Sequence, residues 1–222
     1  MVAALYLTHP QVRIDAAVPV PLWGLSDEGR ARAEAFAARG VVPAGTFVFS
    51  SREAKALELA EIIAAIAGTP VLPDHLMGEN DRSSTGFLPP ALFEETADRF
   101  FAHPYESIDG WERAIDAQAR IVETVATALK CVPENTPVIF CGHGAVGTLL
   151  KCHLGRRRIA RSEDQSRHGH RGGGNGFLFN PVTGELLTEW MAMEAIGDEW
   201  WLASSASPAQ VQRATAHPSA PL

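Results

Sequence analysis

Pro137-Val138-Ile139-Phe140-Cys141-Gly142-His143-Gly144 is an apolar run of strand length that ends on a histidine, with a glycine after it that frees the chain to turn. The residues from Gly144 to His153 then read as a helix. The start of the chain has the same form: Val2-Ala3-Ala4-Leu5-Tyr6-Leu7-Thr8 is an apolar run that leads directly into His9. In an open α/β sheet, ligands sit in the crevice beyond the carboxyl ends of parallel strands. Two histidines leaving two such ends can therefore meet in one crevice, although they lie far apart in the chain.

The segments between them alternate strand and helix. Ser26-Asp27-Glu28 has the pattern of a helix start, with an N-cap serine and two acids in the first turn, and the helix runs to Gly40. Thr46 to Ser50 reads as a strand, Arg52 to Ala67 as a helix stopped by Gly68, and Pro70 to Leu72 as a short strand. The polar run Gly78 to Gly86 is a loop. Helices are expected over Pro90 to Ala102 and Gly110 to Lys130, with Phe93, Phe100, Phe101 and Trp111 as core candidates. Arg156 to Asn175 has little to bury and is expected to be mobile, and Phe177 to Leu187 has a strand, turn, strand pattern. Together these predict an α/β fold, a three-layer α/β/α sandwich around a mostly parallel sheet. One domain is expected over 1–203, with 82–111 and 156–175 as loop or cap insertions. The Ala-, Ser- and Pro-rich 204–222 is expected to be a disordered tail.

Composition narrows the function. At 46% apolar and 20% charged residues the chain can bury a sizeable core. A net charge of -7 argues against a nucleic-acid or anionic-membrane partner. No stretch approaches the roughly 20 apolar residues of a membrane helix, and the opening residues lack the regions of a secretory signal, so a cytoplasmic location is expected. Cys131, Cys141 and Cys152 are odd in number and lack CxxC spacing, which points to reduced thiols rather than a disulfide framework or a zinc site.

The chemistry-bearing residues fall on this frame in a definite order. His9 and His143 end strands; Lys55 follows the second strand, on the first turn of its helix; Glu79 and Arg82 lie in the polar loop. Two imidazoles, cations and a carboxylate facing one crevice suit phosphoryl transfer, where catalysis is mainly positioning and charge stabilisation. A neutral imidazole can also attack phosphorus itself.

On these residues the chain resembles the histidine phosphatase superfamily, which has the phosphoglycerate mutase-like fold. The matching pieces, in chain order, are Thr8-His9-Pro10, the helix start Leu25-Ser26-Asp27-Glu28-Gly29, Ser51-Arg52-Glu53-Ala54-Lys55-Ala56, Glu79, and Gly142-His143-Gly144. The resemblance implies a phosphomonoester hydrolase acting through a phosphohistidine on a small phosphorylated substrate. His9 would be the nucleophile, Glu79 the acid, and His143 a stabiliser of the phosphoryl oxygens, with no metal and no organic cofactor.

The departures from the family pattern lie around the nucleophile. Thr8 stands where the family has its first phosphate-binding arginine, Pro10 where it has glycine, Lys55 where it has its second arginine, and Asp15 where it has asparagine. A lysine offers a point charge and a threonine a hydroxyl, and neither replaces a bidentate guanidinium. Thr8, Lys55, Arg82 and Arg52 are the candidate phosphate contacts, with Arg82 first among the replacement cations and Arg13 a weaker candidate. Asp81 competes with Glu79 as the acid. The loss of arginine also raises an alternative, a non-catalytic phospho-ligand-binding or regulatory relative. A metal-dependent hydrolase using His9, Asp15, Glu79 and His143 is a third reading. Arg167-His168-Gly169 spells the family tripeptide literally, but no apolar strand precedes it, so it is set aside.

Overall fold

A computed structural model describes residues 2–202; the segment 204–222, expected to be a tail, lies outside the described residues. Among the described residues, six strands form one sheet: β1 (Ala4–Thr8), β2 (Phe47–Ser51), β3 (Val71–Asp74), β4 (Val138–Gly142), β5 (Asn175–Phe179) and β6 (Met191–Ala192), in the order β3-β2-β4-β1-β5-β6. β1, β2, β3 and β4 are mutually parallel, whereas β5 runs antiparallel to β1 and β6 antiparallel to β5. The predicted three-layer α/β sandwich is the observed one.

The layers follow from the two-residue period of the strands. Leu5, Leu7, Val48, Ile139 and Cys141 point to one face and pack with α1 (Asp27–Ala38) and α2 (Ala54–Ala67). Ala4, Tyr6, Phe49, Phe140 and Phe177 point to the other and pack with α3 (Pro90–Ala102), α4 (Ala114–Leu129) and α5 (Gly144–Leu154). β1 and β4 are buried along their whole length, as expected of central parallel strands covered on both faces. Ser26 caps α1 by accepting the Gly29 N–H at 3.1 Å, and Gly68, at φ 67°, ends α2 in the left-handed conformation.

Four expectations are corrected. The short strand lies at Val71–Asp74, later than Pro70 to Leu72. The helix expected from Gly110 starts at Ala114, because Asp109 and Gly110 both have positive φ. The strand expected at Glu185 to Leu187 is reduced to a single bridge between Phe179 and Leu186, and β6 takes the sheet edge instead. The stretch 156–175 is anchored to the core: it contains a turn of 3-10 helix (Arg161–Glu163) and the short α6 (Gln165–His168), and the Gly174 N–H donates to the His9 carbonyl at 3.0 Å. Its glycines permit that approach, since a Cβ on Gly173 would fall 2.4 Å from the His9 oxygen. Within 82–111, Phe100, Phe101 and Trp111 belong to the core, as predicted.

Tyr6 is the buried polar group that ties core to site. Its hydroxyl donates to the His143 carbonyl at 3.2 Å and accepts the His143 N–H at 3.1 Å, while its ring stacks on Phe177. Gly142 and Gly147 make room for this side chain, as a Cβ on Gly142 would come within 2.3 Å of the hydroxyl oxygen and one on Gly147 within 2.4 Å of the ring. Tyr6→Phe should leave the fold intact but lower unfolding stability by about 1–3 kcal/mol, because two buried backbone groups lose a partner. Urea titration followed by circular dichroism measures this; unchanged stability would refute the clamp.

Candidate active site

The β1–β4 register pairs Thr8 with Gly142, so the next residue on each strand is His9 and His143. The His9 N–H continues the pairing to the Gly142 carbonyl at 3.0 Å. The two imidazoles meet edge to face, their centres 5.3 Å apart. Sheet register alone thus brings together two residues from opposite ends of the chain.

The His9 Nδ1 lies 2.8 Å from the Pro10 carbonyl. A carbonyl can only accept, so Nδ1 carries the proton and Nε2 keeps its lone pair. Burial pushes the His9 pKa down to about 4, with the Lys55 and Arg82 charges adding to the effect against the Pro10 bond. His143 is fully buried, neither ring nitrogen has a hydrogen-bond partner among the described residues, and its pKa is likewise held well below 6.5 by burial. Both rings are neutral near pH 7.

Glu79 reaches this pair from the loop after β3. Its carboxylate accepts the Val146 N–H at 3.0 Å and the Ala145 N–H at 3.2 Å, at the start of α5. Burial nevertheless raises its pKa, against the pull of Arg82 and these N–H groups. Asp81, its competitor, is exposed and turned to the Ser83 N–H at 2.9 Å, and that bond lowers its pKa. The Glu79 turn is held from below by Arg120, which donates to the carbonyls of Leu76, Gly78 and Glu79 and pairs with Glu112 at 2.7 Å.

The cations divide. Arg82 lies over the rings of Phe93 and Trp111, 5.0 and 6.0 Å from their centres, and its charge acts on both histidines and on Glu79. Lys55 is buried and bound to Glu53 at 2.5 Å and to the Val20 carbonyl at 3.0 Å. Arg52 is solvent-exposed, and Arg13 is exposed beside Asp27. The Thr8 hydroxyl is taken up within the protein by Gln165 and Asn175. Asp15 is exposed, with its carboxylate on the Ala17 N–H at 2.9 Å. Among the described residues no group of three or more His, Cys, Asp or Glu side chains is placed to hold a metal ion, and no helix is long and apolar enough to cross a membrane.

Glu53 is the site residue that sequence reasoning missed. Its carboxylate pairs with Lys55, lies 3.5 Å from His143 Nε2 and accepts the Glu79 N–H at 2.9 Å. Burial works to raise its pKa, but His143, Lys55 and the Glu79 N–H overcome this and hold it at about 2. Residues two apart do not face each other on a helix. Glu53 can reach Lys55 because it is the N-cap of α2, in extended backbone at ψ 138°.

The sequence profile of the histidine phosphatase superfamily (branch 1) matches residues 17–168. The fold is similar to that of a mycobacterial glucosyl-3-phosphoglycerate phosphatase, at 19% identity and a TM-score of 0.66 over 85% of this chain and 95% of that one. It is also similar to YhfR of Bacillus stearothermophilus, at 17% identity and a TM-score of 0.65 over 83% and 93%. No curated protein matches the sequence. The profile match begins after His9, so Thr8-His9-Pro10 lies outside it.

The neutral histidines have a measurable consequence. In the unfolded chain imidazole protonates near 6.5, whereas in the folded protein His9 does so near 4. Between those values the unfolded state binds more protons, so stability should fall as pH is lowered from about 6.5 toward 4. NMR titration of the His9 ring, with thermal unfolding across the same range, checks both. A His9 midpoint near 6.5 would contradict the site described above.

Proposed function

Given that the chain belongs to the histidine phosphatase superfamily, we propose that it is a phosphomonoester hydrolase working through a phosphohistidine on His9. The observation that carries this is the lone pair that the Nδ1 bond to Pro10 leaves on His9 Nε2, in a ring whose centre lies 5.3 Å from that of His143. The His9 Nε2 attacks phosphorus, and the bond from phosphorus to the ester oxygen breaks as Glu79 gives its proton to the leaving oxygen. Water then attacks the phosphoryl group, the P–N bond breaks, and the Glu79 carboxylate takes the water's proton. The products are an alcohol, inorganic phosphate and the original enzyme.

The raised Glu79 pKa favours the protonated form the first step needs. Once ionised, the carboxylate is received by the Ala145 and Val146 N–H groups, which support its role as base in the second step. Lys55, Arg82 and His143 are assigned to the phosphoryl oxygens. Lys55 must then exchange part of its contact with Glu53 for the substrate. Arg52, being exposed, is assigned at most to the entrance, and the Thr8 hydroxyl holds protein rather than phosphate. A site with one lysine and one arginine, and with Glu53 beside them, suits hydrolysis of a small phosphate ester better than a mutase, which must hold two phosphate positions. The buried His143 and Lys55 and the negative overall charge fit a small-molecule substrate.

His9→Ala should abolish phosphate release from an aryl phosphate, and saturable binding without turnover in the wild type would overturn the hydrolase reading. Glu79→Gln removes the proton donor and should lower kcat about 100- to 10,000-fold for an alkyl phosphate. The loss should be far smaller for 4-nitrophenyl phosphate, whose leaving group needs little protonation. Equal losses on both substrates would exclude Glu79 as the acid. As pH rises through the Glu79 pKa, kcat for the alkyl ester should decline.

A further inference from the structure

Thr8 precedes the nucleophile but cannot reach a substrate with its hydroxyl, which is already committed. Its oxygen lies 2.8 Å from Gln165 Oε1 and 3.2 Å from the Asn175 carbonyl, and it accepts the Asn175 N–H at 3.0 Å. The buried Asn175 is itself oriented without ambiguity: its Oδ1 accepts the His170 N–H at 2.6 Å, so its Nδ2 is the atom that donates to Gln165 at 2.9 Å. The Gln165 atom facing Thr8 and Asn175 is therefore the carbonyl oxygen, and its amide nitrogen must point the other way. That direction is toward the start of α5. A Cβ on Gly144 would fall 2.3 Å from Gln165 Nε2, so the NH2 group lies against the residue that follows His143. Among the described residues no acceptor is bonded to Nε2.

Gln165 thus spans the ends of β1 and β4, between the residue before His9 and the residue after His143, and presents a free donor there. Building on the His9 hydrolase reading, we propose that Gln165 binds a non-bridging phosphoryl oxygen of the substrate, as a neutral donor serving the place where Thr8 is too short to reach. Thr8 and Asn175 are positioning residues that lock the amide. The site then binds phosphate with a carboxamide, a lysine and an arginine, which confines the positive charge to the Lys55 and Arg82 side. Gly144 is required on steric grounds as well as for the turn into α5, since any side chain there would displace the amide.

Gln165→Glu tests this directly. A glutamate keeps an acceptor oxygen for Thr8 and Asn175 and sets an oxygen, with no hydrogen to donate, where the NH2 was. With inorganic phosphate as the probe in calorimetric titration, affinity should fall about 10-fold or more while Tm is unchanged. KM for 4-nitrophenyl phosphate should rise in step. Gln165→Met, uncharged and similar in size, provides a second reading should the glutamate perturb folding, and it too should weaken phosphate binding. Wild-type affinity in both variants would overturn the assignment, as would a wild type that binds no phosphate. Hydrolysis with an unchanged KM in Gln165→Glu overturns Gln165 alone. Phosphate binding that is lost in the variant, with no turnover in the wild type, supports Gln165 and overturns the hydrolase.

Discussion

Everything at the crevice depends on the backbone of His143 being fixed where β4 ends, and one hydroxyl does this. Tyr6 meets both the N–H and the carbonyl of His143, while the Gly147 N–H bonds the same carbonyl from inside α5. Because the Tyr6 oxygen is buried in an aromatic cluster with Phe177 and Trp190, it has no solvent to turn to. The strand, the turn and the helix are locked to a single point. The N–H groups of Ala145 and Val146 inherit that precision and hand it on to the Glu79 carboxylate.

The second constraint is charge. Two neutral imidazoles, two carboxylates and two cations crowd together beyond the carboxyl ends of the parallel strands, where they shift one another's titration. Burial keeps the histidines unprotonated, so their lone pairs are available for chemistry rather than spent on protons. Glu53 stays ionised because His143 and Lys55 offset the cost of its burial, whereas burial pushes Glu79 toward protonation against the pull of Arg82. The two glutamates' pKa values are thus pushed in opposite directions by their surroundings. Arg82 is held by the aromatic faces of Phe93 and Trp111, and among the described residues it has no carboxylate ion pair, so its charge acts on the site.

The architecture explains why the elements farthest apart in the chain meet. Parallel pairing of β1 with β4 is a long-range contact that joins the first strand to a residue run over a hundred positions later, and the loop before β5 closes over His9 through Gly173 and Gly174. The glycine-rich polar stretch, which by composition has little to bury, packs against the site at Gly173 and Gly174. Its glycines serve approach and not mobility.

The sequence by itself determined the alternation of strand and helix, the sandwich, and the positions of His9, His143, Glu79, Lys55 and Arg82, because apolar period, capping residues and turn glycines are local signals. It did not disclose Tyr6, which reads as one more aromatic in a strand, nor Glu53, which reads as a helix-face charge until its backbone is seen to be extended. Gln165 and Asn175 were hidden in a stretch whose polarity suggested solvent. Thr8 was legible as a departure, but where its hydroxyl points was not. These belong to the tertiary structure for one physical reason: a hydrogen bond or an ion pair between residues distant in the chain leaves no periodic trace in sequence, and only the register of the sheet decides which polar groups end up facing each other away from water.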